Sequence, residues 1–502
     1  MNKDFNQQEY DIAIIGMGPV GACAAIHLAH AGMRVAVFEK NKNIYPLPRA
    51  VSIDGEIVRA FQGINRGEEL AKILQTIRPD DRAGFADAQR NWLFGTKLSS
   101  DGPNGWPHNS QFYQPELDQY LRDTAQTYPD IDIFLGEEIQ SWTQAHDRVD
   151  LKSTQRRICS RYVIACDGAS SPTRKALEIS WRDLGYSHDW LVVDAEVNSK
   201  NTLPNDVLQV CDPDRLHTFV ATKDPFRRWE FRLNPGEKAD DLMRDQTMHS
   251  LLSAATPRES YEIRRKAVYQ FHAALAKDWR IGNCLIAGDA AHQMPPFMGA
   301  GMGTGIRDAM NLFWKLDLVL SGRAGDDILD TYKAERYPHA KWTVAQSVSI
   351  GKIIEGICAQ QEGKEFTPEE NDGYGVKFPH LPSGIFEDAS DEISGYPCPQ
   401  PLLSRDGIKQ LSDRVVGSKF CIFTRDGIPK LSNKAEKIIE TLDIQIVELS
   451  EEDDEENRME KIFSLYKLIL VRPDRYVYGG IESLDDASKI IESLETSFCL
   501  KI

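Results

Sequence analysis

The feature that most constrains this chain is Asp11-Ile12-Ala13-Ile14-Ile15-Gly16-Met17-Gly18-Pro19-Val20-Gly21, followed by a helical pattern and then Arg34-Val35-Ala36-Val37-Phe38-Glu39-Lys40. A run of apolar residues from Ile12 reads as a buried parallel strand, Gly16-x-Gly18-x-x-Gly21 as a tight turn onto a helix, and Val35 to Phe38 as the next strand. Gly16 permits the turn, Gly18 lets the backbone approach a pyrophosphate, and Gly21 lets the helix pack close to the strand. The N–H groups of the helix opening, from Pro19-Val20 onward, then face the phosphates. Glu39 ends the second strand, beside Lys40, where a carboxylate accepts both hydroxyls of an adenosine ribose and repels a 2′-phosphate. A glycine pattern alone is an ordinary turn. With strand, helix, strand and acid in register it predicts a site for FAD or NAD.

A chain of 502 residues has room for two or three domains, and 41% hydrophobic with 27% charged residues is a globular composition. The net charge of −17 argues against nonspecific affinity for nucleic acid or an anionic membrane, so neither is expected as a partner. The dense acidic run Glu451-Glu452-Asp453-Asp454-Glu455-Glu456 reads as a solvated loop. Met1 to Tyr10 is polar without an apolar core, and nowhere do apolar residues run long enough to span a bilayer, which predicts a cytoplasmic protein. The 9 cysteines contain no Cys-x-x-Cys, so buried thiols are expected rather than a disulfide framework or a metal site.

Further along, Pro46-Leu47-Pro48-Arg49 forms a loop whose arginine suits a phosphate or a substrate acid as readily as it suits the surface. Gln114 sits just before Pro115, which opens a helix. Arg161 to Ala165 reads as another buried strand, ending at Asp167-Gly168 with Arg174 following. From Asp189 to about Phe271 strand-like segments, such as Trp190 to Val197 and Arg228 to Leu233, replace the alternation of strand and helix, which predicts an antiparallel lobe. Cys284 to Ala287 restores a buried strand ending at Gly288-Asp289. Pro295-Pro296-Phe297-Met298-Gly299-Ala300-Gly301-Met302-Gly303-Thr304-Gly305 then feeds an amphipathic helix expected from about Ile306 to Leu320, a second electropositive cradle but not a second dinucleotide fingerprint. Gln360 to Pro401 reads as a linker, and the last hundred or so residues as a small α/β domain with capping boxes at Asn433-x-x-Glu436 and Ser483-x-x-Asp486.

The three ordered motifs, Gly16-x-Gly18-x-x-Gly21 with Glu39, then Asp167-Gly168, then Gly288-Asp289-Ala290-Ala291-His292 with its proline and glycine run, resemble class A flavoprotein aromatic hydroxylases. The resemblance is nearest to the 3-(3-hydroxyphenyl)propionate hydroxylase branch and extends over residues 8 to 350, supported by Pro48-Arg49-Ala50, Gly105-Trp106-Pro107, Gln114-Pro115, Cys211-Asp212-Pro213 and Arg307-Asp308-Ala309. It implies an α/β fold in which a Rossmann-like FAD-binding domain is interleaved with an antiparallel-sheet substrate lobe and followed by a small thioredoxin-like domain. The implied division is 1–188 for the first part of the FAD domain with some lobe segments, 189–272 for the lobe, 273–360 for the second part of the FAD domain, 361–401 for the linker and 402–502 for the C-terminal domain.

By the same resemblance Glu39 binds the adenosine ribose, Arg49 and Gln114 contact FAD, Asp289 meets the ribityl or pyrophosphate region, and Gly299, Gly301, Met302 and Gly303 bring backbone N–H groups to the flavin. The reaction implied is hydroxylation of a phenol, in aromatic catabolism, through a flavin C(4a) hydroperoxide. NAD(P)H enters as a transient co-substrate, dioxygen as the second, and the ring controls reduction of a mobile flavin. A homodimer fits this family too. Alternatives on the same fold are a tailoring or drug-modifying monooxygenase, and a noncatalytic flavin-binding protein. His292 beside Asp289 invites a catalytic role, but a structural one is favoured.

Overall fold

A computed structural model describes residues 8–501 apart from 77, 79, 99–101, 200–202, 254–255, 362, 367–379, 382–383, 388–391, 406 and 451. Its first layer is an 8-stranded sheet with a central run of parallel strands. Gln8–Ile15 lies between Arg157–Ala165 and Val35–Glu39, with Ile131–Leu135 and Cys284–Ile286 outside them. Neighbours on both edges and packing on both faces explain why Ile12, Ile14, Val35 and Val37 are all fully buried and why these strands read as unbroken apolar runs.

The turn after the first strand works by exclusion of side chains. Gly16 has φ +99° and a Cβ there would stand 2.4 Å from the Cys166 carbonyl oxygen; at Gly21 a Cβ would stand 2.0 Å from the Gly16 carbonyl oxygen. The helix Pro19–His30 therefore sits directly against the strand. It also packs against the helix Gly301–Leu320, which starts five residues earlier than expected and is buried almost all round instead of on one face. Gly305 explains the early start: its missing Cβ would lie 2.7 Å from Val20 and 2.9 Å from Gly288, so glycine lets two helices and a loop meet.

The second layer is also 8-stranded. It contains the expected segment Trp190 to Val197 in the strand Trp181–Val197 and most of the expected segment Arg228 to Leu233 in Phe226–Arg232, together with Val207–Cys211, His217–Ala221 and Tyr261–Ala276, and adds Arg82–Asp87 and Trp92–Lys97 from far upstream, with Arg82–Asp87 running parallel to its neighbour. The lobe thus reaches past 189–272 at both ends.

The C-terminal unit has a 4-stranded sheet, Gln445–Glu448, Cys421–Thr424, Leu468–Val471 and Val477–Ile481, with the first pair parallel and the others antiparallel. Helices Asn433–Leu442 and Ala487–Ser497 accompany it. The cap of the former is Ser432, one residue before the expected Asn433, its hydroxyl accepting from Ala435 N at 3.1 Å. At the second expected box Ser483 accepts from Asp485 N instead, ahead of a short 3₁₀ turn.

This unit is not a separate globule hung on a linker. Trp314 of the helix Gly301–Leu320 packs its ring 5.6 Å from those of Phe420 and Phe498. Asp413, 1% exposed, receives Arg59 Nε at 2.8 Å and Arg475 Nε at 2.9 Å. Arg472 reaches Glu335 at 2.8 Å, and Glu335 receives Lys315 at 3.1 Å, all fully buried. Within the acidic run, Asp453 and Asp454 are buried, contrary to the solvated loop expected. Asp453 accepts from Ser404 N and Ser450 N, and Asp454 from Arg458 N and Met459 N. About half of the stretch 361–401 expected to be a linker lies outside the described residues; of the rest, Leu381, Ile385, Ile393 and Cys398 are buried.

Seven cysteines are buried, Cys166 is partly so and Cys499 is exposed; no disulfide joins any of them among the described residues. No helix among the described residues is long and apolar enough to cross a membrane.

Candidate functional site

The ends of the parallel strands open into a cavity of about 590 Å³ whose far wall is the lobe sheet. That volume is in the range of ligand and cofactor sites, and its place is where open α/β sheets bind them.

At one end the walls are those of a nucleotide cradle. Gly18 is the N-cap of Pro19–His30 with φ −72° and ψ −179°, and no side chain caps that helix. A Cβ on Gly18 would meet nothing within 4 Å, so the space beside the uncapped amides is open to a ligand. The Glu39 carboxylate is fixed at the strand end by Met17 N at 3.0 Å and Asn41 N at 2.8 Å. Gly299 is left-handed at φ +64°, and the helix it precedes, opening at Gly301-Met302, also lacks a side-chain cap. Two helix N-termini with their partial positive charge therefore converge on one cavity.

The charged residues give the cavity both cations and carboxyl acceptors. Arg49 lies over the Tyr45 ring at 5.2 Å and lines the cavity. Asp289 opens into the same space, where burial pushes its carboxyl above the ordinary range against the pull of His292 and Arg49. Asp167 accepts from Thr173 N at 3.0 Å, while its other oxygen, Oδ1, is buried without a hydrogen bond. Asp118 Oδ1 is likewise buried without one, and burial raises that carboxyl to about 6. Orphaned buried acceptors in a cavity wall await a ligand's donors.

Of the residues expected at the site, Gly16, Gly18, Pro19, Val20, Glu39, Lys40, Arg49, Gln114, Asp167, Gly168, Asp289, Pro296, Gly299, Gly301 and Met302 line the cavity. Gly21, Gly288 and Gly303 stand behind it: Gly21 at the helix–strand contact, Gly288 donating its N–H to Asp308 Oδ2 at 3.1 Å, and Gly303 beside Arg307 and Asp54. Gln114 acts through the loop, its Oε1 accepting from Arg49 N at 2.8 Å and Ala50 N at 2.7 Å. His292 is fully enclosed, its Nε2 2.7 Å from Asp308. Asp308 stays below the ordinary range despite burial because His292 and Arg336 both pair with it. Arg174 is buried over the Trp181 ring at 4.0 Å and turns away from the cavity.

The lobe supplies a wall that the sequence reading did not pick out. Arg228, Glu230, Gln209 and Thr218 line the cavity, and so does Phe297, whose ring packs edge-on against Trp190 at 5.3 Å. Arg228 holds Asp194 through Nε at 2.7 Å and also donates to the carbonyls of Arg49 at 2.6 Å and Pro48 at 3.0 Å. Alternation along Phe226–Arg232 was the available signal: Trp229 and Phe231 face the lobe core, which sends Arg228 and Glu230 to the other side.

Fold and cavity together define a flavoprotein with an FAD cradle facing a substrate lobe. The chain belongs to the FAD binding domain family, whose sequence profile matches residues 9–347, and within it to the flavoprotein aromatic hydroxylases. It is 31% identical over 439 residues to a probable NADH-specific resorcinol 4-hydroxylase of Rhodococcus jostii, covering 85% of this chain and 81% of that one. It is 35% identical over 351 residues to a 3-(3-hydroxy-phenyl)propionate/3-hydroxycinnamic acid hydroxylase of Mycolicibacterium gilvum, covering 69% of this chain but only 61% of the relative's length. Among solved structures, aklavinone-11 hydroxylase with FAD and aklavinone superposes with a TM-score of 0.84 at 22% identity over 99% of this chain and 100% of that one. The flavin-dependent monooxygenase PieE does so at 0.83 and 18% identity over 98% and 99%. The chain is accordingly an FAD-dependent monooxygenase.

Proposed function

We propose that the protein hydroxylates a phenolic ring lodged between the lobe sheet and the flavin end of the cavity. One observation carries this: a single cavity joins a dinucleotide cradle to a wall bearing a ring, an arginine and a carboxyl. The names of the resorcinol and hydroxyphenylpropionate relatives support a phenol, and the former supports NADH as reductant. Bound FAD supplies hydride acceptance and dioxygen activation.

The chain's own residues do the rest. Glu39 takes the ribose hydroxyls, and Arg49 with the amides after Gly18 takes the phosphates. Asp289 accepts from the flavin's polyol side. The uncapped amides at Gly301 and Met302 offset negative charge on the ring system, as an oxyanion hole does. Phe297 and Met294 keep water from the reacting face, and Arg228 and Gln209 orient the substrate's polar groups. The C-terminal unit is read as scaffold, since Cys421 is buried and has no neighbouring thiol in sequence. A homodimer belongs to this reading, measurable by light scattering.

The test is a panel of phenols and phenolic acids incubated with the holoprotein, labelled dioxygen, and NADH or NADPH in parallel. One labelled oxygen atom in the product of at least one phenol is expected, with NADH the better reductant. A protein that cannot be reconstituted with FAD, or that oxidises NADH without oxygenating any phenol, removes the proposal.

A further inference from the structure

Glu230 sits at the centre of the lobe sheet, 4% exposed, with the exposed remainder in the cavity wall. Buried carboxylates are costly, and the middle of a strand between Val192 and Thr218 is ordinary territory for an apolar or β-branched side chain. Salt-bridge duty does not account for it. Arg228, the nearest cation, approaches Glu230 only to 3.8 Å and spends its Nε and both terminal nitrogens on Asp194 and on the Pro48 and Arg49 carbonyls.

The surrounding charges are balanced. Arg228 lies on the same strand, and Asp194 faces it from the adjacent strand. Arg265 and Tyr269 lie on the strand beyond, and Tyr186, on the strand of Asp194, feels the Glu230 charge. Arg265 is itself committed to Asp194 and the Pro48 carbonyl. On the other side Thr218 and Gln209 bond to one another at 2.7 Å and offer no charge. Glu230 is thus the carboxyl on this wall whose acceptor capacity faces the ligand space, one side chain away from the loop that carries Arg49.

We propose that Glu230 is the base that ionises the substrate phenol, an inference that rests on the phenol reading above. The ring O–H bond breaks, its proton forms an O–H bond to a Glu230 carboxylate oxygen, and the electron pair stays on the ring oxygen. The phenolate and a neutral acid result, with no change of oxidation state, and water takes the proton once product leaves. The phenolate ring is the more electron-rich, which is what attack on an electrophilic oxygen requires. Burial holds the Glu230 carboxyl at about 7, with Arg228 resisting, so near neutrality it is poised between proton acceptance and release.

Holoproteins of wild type, Glu230→Gln and Glu230→Asp decide the matter, with resorcinol and 3-(3-hydroxyphenyl)propionate as probes. Flavin difference spectra report binding, the ultraviolet phenolate band reports ionisation of the bound probe, and single-turnover hydroxylation is followed from pH 5.5 to 10. In wild type hydroxylation rises through about pH 7, as Glu230 loses its own proton and becomes able to take that of the ring. In Glu230→Gln the probe still binds, but this limb is lost, the remaining rise follows the solution value of the ring hydroxyl, about 10 for a simple phenol, and hydroxylation at pH 7 falls at least about 100-fold. Glu230→Asp keeps a limb, displaced from that of wild type. Equal hydroxylation rates and equal pH profiles in wild type and Glu230→Gln, with product still formed, overturn the role of Glu230 and leave the phenol reading intact. Neither probe binding to nor being hydroxylated by wild type, with no phenol of the panel doing so, overturns both. Should Glu230→Gln not retain FAD, Glu230→Asp decides: an unmoved limb overturns the proposal.

Discussion

Gly18 and Gly21 separate binding from folding, and a valine at each measures the difference. At Gly18 the backbone lies at φ −72° and ψ −179°, open to any residue, and a Cβ meets nothing within 4 Å. Gly18→Val is expected to change apoprotein stability by no more than about 1 kcal/mol. At Gly21 the Cβ would stand 2.0 Å from the Gly16 carbonyl oxygen, so Gly21→Val costs about 3 kcal/mol or more as helix and strand are forced apart. For the cofactor the order reverses in cause. A valine at Gly18 fills the space in front of the uncapped amides and removes two or so hydrogen bonds to a charged phosphate, each worth about 1.5–3 kcal/mol. The expected loss is about 3–6 kcal/mol, or roughly 10²–10⁴ in Kd. Urea midpoints of the apoproteins and fluorescence titration with FAD give both quantities. Threefold or smaller loss of FAD affinity in Gly18→Val, or destabilisation of its apoprotein equal to that of Gly21→Val, refutes the placement of the phosphates.

Asp289→Ala is expected to weaken FAD by about 2 kcal/mol, near thirtyfold, with the apoprotein midpoint unmoved; because burial raises the Asp289 carboxyl, wild-type retention should begin to fall at a higher pH than an ordinary aspartate would dictate, a trend flavin-release measurements down to pH 4 check. Asp413→Asn leaves Arg59 and Arg475 buried without their anion and should cost about 3–5 kcal/mol in urea unfolding. Although burial pushes the Asp413 carboxyl up, Arg475 and Arg59 hold it below the ordinary range; its contribution is therefore complete above the unfolded value of about 3.9 and is lost as pH falls through the lower folded one, so the gap should be equal at pH 8 and 5.5 and close only in acid. A phenol that is hydroxylated should accelerate anaerobic bleaching of the flavin by NAD(P)H at least about tenfold, roughly 1.4 kcal/mol of barrier, in stopped-flow absorbance.

Much of this architecture shows in the sequence because parallel strands buried on both faces leave unbroken apolar runs, and because the turns at their ends need glycine and an acid. That made Glu39, Asp167 and Asp289 visible without any tertiary information. The lobe wall was hidden for the opposite reason. In Phe226–Arg232 the polar side chains alternate with aromatics as they do in any half-solvated strand, and only the fold reveals that their face is a cavity. The helix opening at Gly301 was misread because glycine disfavours helix interiors, whereas here close approach to Val20 and Gly288 outweighs propensity. The docking of the C-terminal unit was invisible as well: Arg59, Asp413, Glu335 and Arg472 look like surface charges until their partners, far away in the chain, are brought beside them.

Arg228 and Arg265 both donate to backbone carbonyls of the Pro48-Arg49 loop while holding Asp194 between them. The wall that greets the substrate and the arm that greets the cofactor are therefore one mechanical piece. Such a joint limits how the protein diversifies. Changes at Val207, Gln209, Thr218 or Val220 reshape the chamber without touching the joint, and so leave cofactor retention alone. Changes at Arg228 or Arg265 alter selectivity only by loosening the flavin's hold as well. New substrates are accessible to this scaffold along one side of its pocket, and the other side is closed to drift.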